Sequence, residues 1–324
     1  MLNQRTHIIR WFIVFLMSGL LSGCGQQPGG SLESLPDLAH NYPRVDGSTS
    51  AHPLQRALAC QIMQVPCRWS TSYQYGRTII PDPEYATAPD LLEAIGSGIQ
   101  HHGTHRAYMN LIDGKVDFIL VARVPSEDEL RAAREHGVAL DVRAVALDAF
   151  VFLVNIDNPV DNLDLETVRS IYTGSISNWA DVGGPCAGII AFQRQRNSGS
   201  QELMEALVMR GTPMLDLTAK LGLMVIDMGG MLNQVGYAPS GIGYSVYYYA
   251  VNMLPDERVK LVGIDGVTPN AETISARSYS LTTEVYAVVR EAMPAEGAAL
   301  VLRNWLFTDA GKAAIAASGY VPLP

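Results

Sequence analysis

Charged side chains are scarce in this chain: Asp, Glu, Lys and Arg make up 17% of its 324 residues, and their balance is acidic, 32 against 23. No long basic run breaks that balance, which argues against a nucleic-acid partner. Cysteine is scarcer still, with four residues, at positions 24, 60, 67 and 186. Only Cys60 and Cys67 lie close together, and His101, His102 and His105 fall in a glycine-containing loop without a regular ligand spacing. No metal site is expected from that pattern, and no cofactor is implied. No apolar run reaches the about 20 residues that an ordinary membrane-spanning helix needs. There is no Gly-x-Ser-x-Gly elbow, and no serine is accompanied by a base in a recognisable pattern, so the chain does not read as an enzyme. Tandem repeats are missing as well. Disorder is excluded by composition, since 48% of the residues are apolar, enough to build a core.

What is present begins with the N-terminus. Arg5 and Arg10 precede an apolar run from Trp11 to Leu21, which closes in Leu21-Ser22-Gly23-Cys24. A charged start, a short apolar stretch and small residues before a cut describe a secretory signal over residues 1–23. A cysteine directly after the small residues resembles the bacterial lipobox. That resemblance implies cleavage before Cys24, lipidation of Cys24 and an extracytoplasmic protein anchored to the bacterial membrane, in the periplasm or at the cell surface. The alternative is an ordinary signal whose cysteine is incidental. Residues 24–42 are expected to be a flexible tether, because Gly25 to Leu35 is rich in Gly, Gln, Pro and Ser. Losing Arg5 and Arg10 with the signal would move the net charge from -9 to about -11. In an oxidising compartment Cys60 and Cys67 can pair across a turn, leaving Cys186 over. Roughly 300 residues remain after cleavage, enough for about two domains.

Along the remainder, strand and helix patterns alternate. A short strand at Pro43–Gly47 leads into Ser48-Thr49-Ser50 and a helix opened by Pro53. Ser70 to Pro89 reads as irregular or extended. Thr104 precedes a helix over Ala107–Ile112, and a buried strand ends at Val121. Ser126 and Glu129 form a capping-box pattern for the next helix. Val142–Leu147 and Phe150–Asn155 read as strands buried on both faces. Further helices are expected over Leu165–Thr173, Gln201–Met209, Leu300–Phe307 and Ala310–Ala317. Further strands are expected over Ile189–Gln193, Ile242–Ser245, Lys260–Ile264 and Ser278–Val289. This alternation predicts an α/β fold with mainly parallel sheets, in which ligands sit beyond the carboxyl ends of strands.

The most informative stretch is Arg194-Gln195-Arg196-Asn197-Ser198-Gly199-Ser200-Gln201. It puts guanidinium groups just ahead of a hydroxyl-rich turn that opens a helix. The amides of Ser198, Gly199 and Ser200 would lack intrahelical partners there, and would suit an oxyanion. Gly199 lets backbone come close to a ligand, and an arginine adds a two-pronged clamp. The plain alternative is a capping box, with Ser198 as N-cap and Gln201 three residues on. Ser48–Ser50 and Thr104 occupy the same position after other strands, which makes three candidate cradles. An acidic chain can still hold an anion, because remote surface charge is screened over about 10 Å.

These residues resemble the phosphate-binding component of bacterial phosphate ABC transporters, within the type II periplasmic binding proteins. The resemblance runs from about residue 43 to the C-terminus. It is carried by Asp46-Gly47-Ser48-Thr49-Ser50 with Pro53, Gly114-Lys115-Val116-Asp117, and Ile171-Tyr172-Thr173-Gly174-Ser175-Ile176-Ser177-Asn178-Trp179 with Gly183-Gly184. Arg194 with Ser198-Gly199-Ser200, Gly241-Ile242-Gly243-Tyr244 and Gly319-Tyr320-Val321-Pro322-Leu323-Pro324 complete it. It implies two α/β lobes joined by two crossing strands with the ligand in the cleft, lobe I being 43–148 plus 273–324 and lobe II 149–272. It also implies a monomer that captures inorganic phosphate and delivers it to an ABC permease. The alternative is a receptor or sensor for another tetrahedral oxyanion, without transport. Ligand contacts would come from Thr49, Ser50, Thr104, Arg194, Ser198, Gly199 and Ser200.

The chain departs from that family pattern in two places. The family's proton-accepting Asp after the second strand is replaced by Val121-Ala122-Arg123-Val124, and Arg196 stands where an acid often holds the binding arginine. Arg123 is open between ligand contact and a salt bridge, and Asp46 and Asp148 are candidate substitute acceptors. Asn178-Trp179 is expected to fix a loop, and Tyr247-Tyr248-Tyr249 to pack, with the cleft mouth as the alternative.

Overall fold

The computed structural model describes residues 36–72, 76–82, 89–216 and 223–323. The secretory signal, Cys24 and the first part of the tether lie outside the described residues. The last part of the tether does not read as one, because Pro36–His40 is a short helix whose Leu38 is buried in the core.

The first lobe starts with β1 (Val45–Gly47), fully buried and parallel to β4 (Phe118–Val121). Between them a hairpin of β2 (Cys67–Ser72) and β3 (Gly76–Pro81) follows the helix His52–Ile62. Cys60 and Cys67 are joined by a disulfide at the end of that helix, while Cys186 is free and exposed. β5 (Leu140–Asn155) then runs for sixteen residues. The sequence reads as two apolar strands there because Asp148 interrupts the pattern, yet the backbone continues straight through it.

The second lobe is built on the far half of β5. β6 (Asn162–Leu163), β7 (Ile190–Ala191), β8 (Gln193–Arg194) and β9 (Met224–Val225) are short. β10 (Gly241–Val246) and β11 (Val259–Ile264) flank β5 antiparallel on its two edges. The chain returns beside β5, where the Phe150 amide donates to the Leu281 carbonyl (2.9 Å), and enters β12 (Thr282–Arg290). β12 and β13 (Val321–Pro322) flank the near half of β5. The central sheet is ordered β1-β4-β12-β5-β10-β7. It is mixed rather than mainly parallel: β1–β4, β7–β10 and β6–β11 run parallel, but every neighbour of β5 runs antiparallel, and β8–β9 is a separate parallel pair. A strand that crosses from one lobe to the other and returns alongside itself must meet its partners head to tail.

Helices cover the sheet as the apolar spacing predicts, with differences at their ends. Leu165–Thr173 is capped by Asp164, which accepts from the Thr167 amide (2.6 Å), and is stopped by Gly174 in the left-handed region. The expected helix over Gln201–Met209 begins earlier, at Gly199, and widens into a π-helix over Met204–Met209. Trp179 is fully buried and donates to the Ser240 carbonyl (2.9 Å), so the Asn178-Trp179 element fixes a loop. The C-terminal segment is a brace. Tyr320 stacks on Tyr248 (3.7 Å between centroids) and donates to the Ser50 carbonyl (3.0 Å). The hydroxyl turn of lobe I is thus tied to the segment that follows β10.

Asp148 sits where β5 changes partners, 2% exposed. Its Oδ1 accepts from the amides of Ala149 (2.8 Å) and Tyr248 (3.0 Å), and its Oδ2 has no partner among the described residues. Burial raises its pKa from 3.8 to about 7, against the pull of those two amides. The folded value lies above the unfolded one, so this group's contribution is complete below about pH 4 and is lost as pH rises through about 7. The loss amounts to about 4 kcal/mol at most. Urea unfolding of Asp148→Asn should therefore show a flatter stability profile between pH 5 and 8 than the parent chain. Parallel profiles would show that Asp148 is not the group responsible.

Candidate functional site

The two lobes enclose a cleft of about 550 Å³, lined by residues from both. All seven residues expected to contact ligand line it: Thr49, Ser50 and Thr104 from the first lobe, Arg194, Ser198, Gly199 and Ser200 from the second. The 48–50 loop lies between β1 and the helix His52–Ile62, Thr104 opens the helix Thr104–Ile112, Arg194 ends β8, and Ser198, Gly199 and Ser200 open the helix Gly199–Leu203, where backbone amides lack intrahelical acceptors.

On the first side, β1 ends at Gly47, where a Cβ would lie 2.2 Å from the Leu120 carbonyl oxygen. The Ser48 amide donates to that carbonyl (2.9 Å), which turns the chain into the 48–50 loop. The Ala122 amide donates to Ser48 Oγ (2.9 Å), and Ser48 Oγ shares a hydrogen bond with Thr104 Oγ1 (2.7 Å). Ser48 is thus a buried positioning residue behind Thr104. Gly103, at φ 90°, delivers Thr104 to the first turn of the helix Thr104–Ile112.

On the second side, Arg194 is 7% exposed. Its Nε donates to the Val225 carbonyl (3.2 Å), Nη2 to the Ile226 carbonyl (3.0 Å) and Nη1 to Ser200 Oγ (3.0 Å). The pairing of β8 with β9 sets this up, since Arg194 stands in register with Val225. The Tyr244 hydroxyl, itself bonded to Gln201 Oε1, accepts from the Arg194 amide (2.9 Å). No carboxylate of the described residues forms an ion pair with Arg194. Burial lowers its pKa from the ordinary arginine value, offset by Tyr244, Asp227 and Tyr249. A guanidinium has five N–H groups and stays charged, so three are engaged by protein and two remain.

The plain reading of this turn also holds. Ser198 is an N-cap whose Oγ accepts from the Gln201 amide (3.3 Å), and the cap itself faces the cleft. Gln201 does not complete a capping box, because its side chain turns to Glu205 and Met214. Of the three amides expected to be available, that of Ser198 is taken by the Gln195 carbonyl (3.2 Å), which leaves those of Gly199 and Ser200. Asn197, at φ 64°, makes the bend. A Cβ on Gly199 would lie 2.5 Å from Thr104 Oγ1, so the two lobes meet at this glycine.

Arg123 is buried and forms a two-pronged pair with Glu129 (2.7 and 2.8 Å), within the first lobe and away from the cleft lining. Asp46 is saturated by the amides of Gly47 and His102, His102 Nδ1 and Asn110 Nδ2. Neither Asp46 nor Asp148 lines the cleft. Arg196 does line it, but its side chain is 85% exposed and lies 3.9 Å from Asp128, so it does not replace an acid in bracing Arg194. Backbone carbonyls take that role. Tyr249 reaches the cleft from the tyrosine run, while Tyr248 packs. No cluster of metal-ligating residues occurs among the described residues.

One element escaped the sequence reading. Asp227 caps the helix Met228–Tyr237, accepting from the Gly230 amide (2.6 Å), and is the one carboxylate lining the cleft among the described residues. The signal was there: Asp227 follows a short apolar run and precedes Gly229-Gly230, the same strand, polar turn and helix sequence as the other cradles.

Comparison with known proteins agrees with this fold. The chain is 27% identical over 312 residues to the phosphate-binding protein PstS of Staphylococcus aureus (strain bovine RF122), covering 94% of this chain and 84% of the relative. It is 26% identical over 180 residues to PstS of Borreliella burgdorferi, covering 55% and 63%. Among solved structures, it superposes on a putative phosphate ABC transporter substrate-binding protein with bound phosphate from Clostridium perfringens with a TM-score of 0.64 and 21% identity, over 86% of this chain and 98% of that one. An ABC-type phosphate transport receptor from Vibrio cholerae gives a TM-score of 0.60 and 22% identity, over 86% and 99%. The PBP superfamily domain model matches residues 95–310, and with that match over most of its length the chain belongs to the PBP superfamily.

Proposed function

We propose that this chain is an extracytoplasmic solute-binding protein that captures inorganic phosphate between its lobes and delivers it to an ABC permease. The observation that carries the reading is Arg194: a buried guanidinium without a carboxylate partner, with two N–H groups beyond its protein bonds. A buried unpaired charge is destabilising by several kcal/mol, and an anion in the cleft relieves it. Ser200 and Ser198 each accept a protein hydrogen bond and keep their own hydroxyl proton for a ligand. Thr49, Ser50 and Thr104 complete the nest from the opposite lobe, and the amides of Gly199 and Ser200 add helix N-terminal donors. Closure would bring residues 43–148 with 273–324 against 149–272, hinged on β5 and the return beside it. Asp227 supplies the acceptor for the proton of hydrogen phosphate that the segment after β4 lacks. Cys24 carries the lipid anchor, and the monomer binds rather than transforms its ligand.

Calorimetric titration of the full chain should show micromolar or tighter phosphate binding and much weaker sulfate binding; equal affinities would sink phosphate selectivity. Arg194→Ala should weaken phosphate binding at least ~100-fold, because it removes the counter-charge of a buried anion. Unchanged affinity would reject that residue's role. Asp227→Asn should narrow the gap between phosphate and sulfate, whereas an unaltered ratio would assign the proton acceptor elsewhere. Gly199→Ala, which places a methyl group against Thr104, should lower affinity at least ~tenfold with an unchanged melting temperature, by holding the lobes apart. Wild-type affinity in that variant would show that the Thr104–Gly199 approach is not part of closure.

A further inference from the structure

The cleft is larger and more cationic than a single oxyanion uses. Its volume of about 550 Å³ persists although Gly199 and Thr104 already meet across it. That volume lies within the ~300–1,000 Å³ typical of clefts that enclose ligands of drug size. Beyond Arg194 the lining contains two more arginines, Arg106 and Arg196, against the single carboxylate of Asp227, in a chain whose net charge is -9. Arg196 is exposed and lies 3.9 Å from its nearest acid, Asp128. Arg106 is exposed and forms no ion pair with the described residues. Next to them stand His102 and His105. Their Nδ1 atoms lie 2.9 Å from carboxylate oxygens of Asp46 and Glu129, whose side chains are fully buried, while the two imidazole side chains are themselves 50% and 34% exposed. Two imidazoles held at Nδ1, with the exposed guanidiniums of Arg106 and Arg196, make a second polar wall beside the hydroxyl nest. The first group to seat in the nest is already matched by Arg194 and the helix amides, so this outer wall has no partner in a single phosphate.

We propose that the cleft also takes a ligand with two linked phosphoryl groups, one in the nest around Arg194 and the other against Arg106, Arg196, His102 and His105. The proposal rests on the phosphate-binding reading and adds a second subsite to it. Arginines that only steered anions would act on the association rate and fade as salt rises. Arginines that hold a second phosphoryl group act on the dissociation rate of the larger ligand alone.

The test is calorimetric and stopped-flow titration of the full chain, kept in detergent, with inorganic phosphate and inorganic diphosphate. The parent chain is set beside R106A/R196A and Arg194→Ala. Diphosphate should bind the parent at least as tightly as phosphate and compete with it, and Arg194→Ala should weaken both. R106A/R196A should lose about tenfold or more in diphosphate affinity, through faster dissociation, while phosphate affinity changes by less than about threefold. Both substitutions are on exposed side chains, and matching thermal melts will confirm the fold. If phosphate binds the parent and diphosphate does not, the second subsite is overturned and the phosphate reading stands. If neither binds, the phosphate reading itself fails. If R106A/R196A weakens both ligands equally, or neither, the arginines only steer anions and the second subsite is again overturned.

Discussion

β5 has hydrogen-bonded neighbours on both edges in both lobes: β12 and β13 along its first half, β10 and β11 along its second. A single extended backbone therefore registers two halves, and one continuous apolar core runs along it from Leu54 and Phe118 to Trp179 and Tyr244. The carboxyl of Asp148 lies at the changeover, where it accepts the Tyr248 amide and lies near the Tyr248–Tyr320 stack. Because the strand is continuous, the ends of β1 and β8 are placed opposite each other across one gap. Anything that altered the register of β5 would move the two hydroxyl turns relative to each other and take the cleft apart.

The charge at the bottom of that cleft is handled without a carboxylate. Val225 and Ile226 offer carbonyl dipoles, and Ser200 offers an oxygen, so Arg194 is held in position without a direct ion pair, and the charge of Asp227 acts on it only at longer range. An acid paired directly with it would have neutralised it and weakened its attraction for an anion. The same logic explains how a chain of net charge -9 can favour anions. Most of its acids are remote and screened, whereas the arginine and the helix amides act at contact distance in a water-poor site. On the other wall the Ala122 amide, Ser48 and Thr104 form a relay that ends in a hydroxyl at the cleft.

Much of this could be read from the residues in order. The polar turns at Ser48–Ser50 and Ser198–Ser200, each between a short strand and a helix, and the helix start at Thr104 depend on local chemistry: hydroxyls and glycine beside a helix start. Local chemistry is what a sequence displays. The capped helix Leu165–Thr173 and the buried strands were legible for the same reason. The extent of β5 was not, because a buried Asp in an apolar run looks like a break until the amides of Ala149 and Tyr248 are seen to meet it. The cradle at Asp227 was passed over because its strand is two residues long and carries little periodicity. The fate of Arg123 depends on Glu129, six residues on, and nothing in the spacing says which way either side chain turns.

The sequence by itself determined that the chain has an α/β core, an N-terminal secretory pattern, and three turns suited to anions. Those properties follow from composition, periodicity and capping, which act over a few residues. Tertiary structure alone decided that the turns share one cleft, that Arg194 is braced by carbonyls rather than an acid, and that Gly199 is the point where the lobes touch. It also decided that Asp227 lines the cleft, and that Arg196 lines it with a largely exposed side chain. Each of these depends on the pairing of strands distant in the chain, β8 with β9 and β5 with its four neighbours. Register over such separations is set by packing of the whole molecule, and no short stretch of residues encodes it.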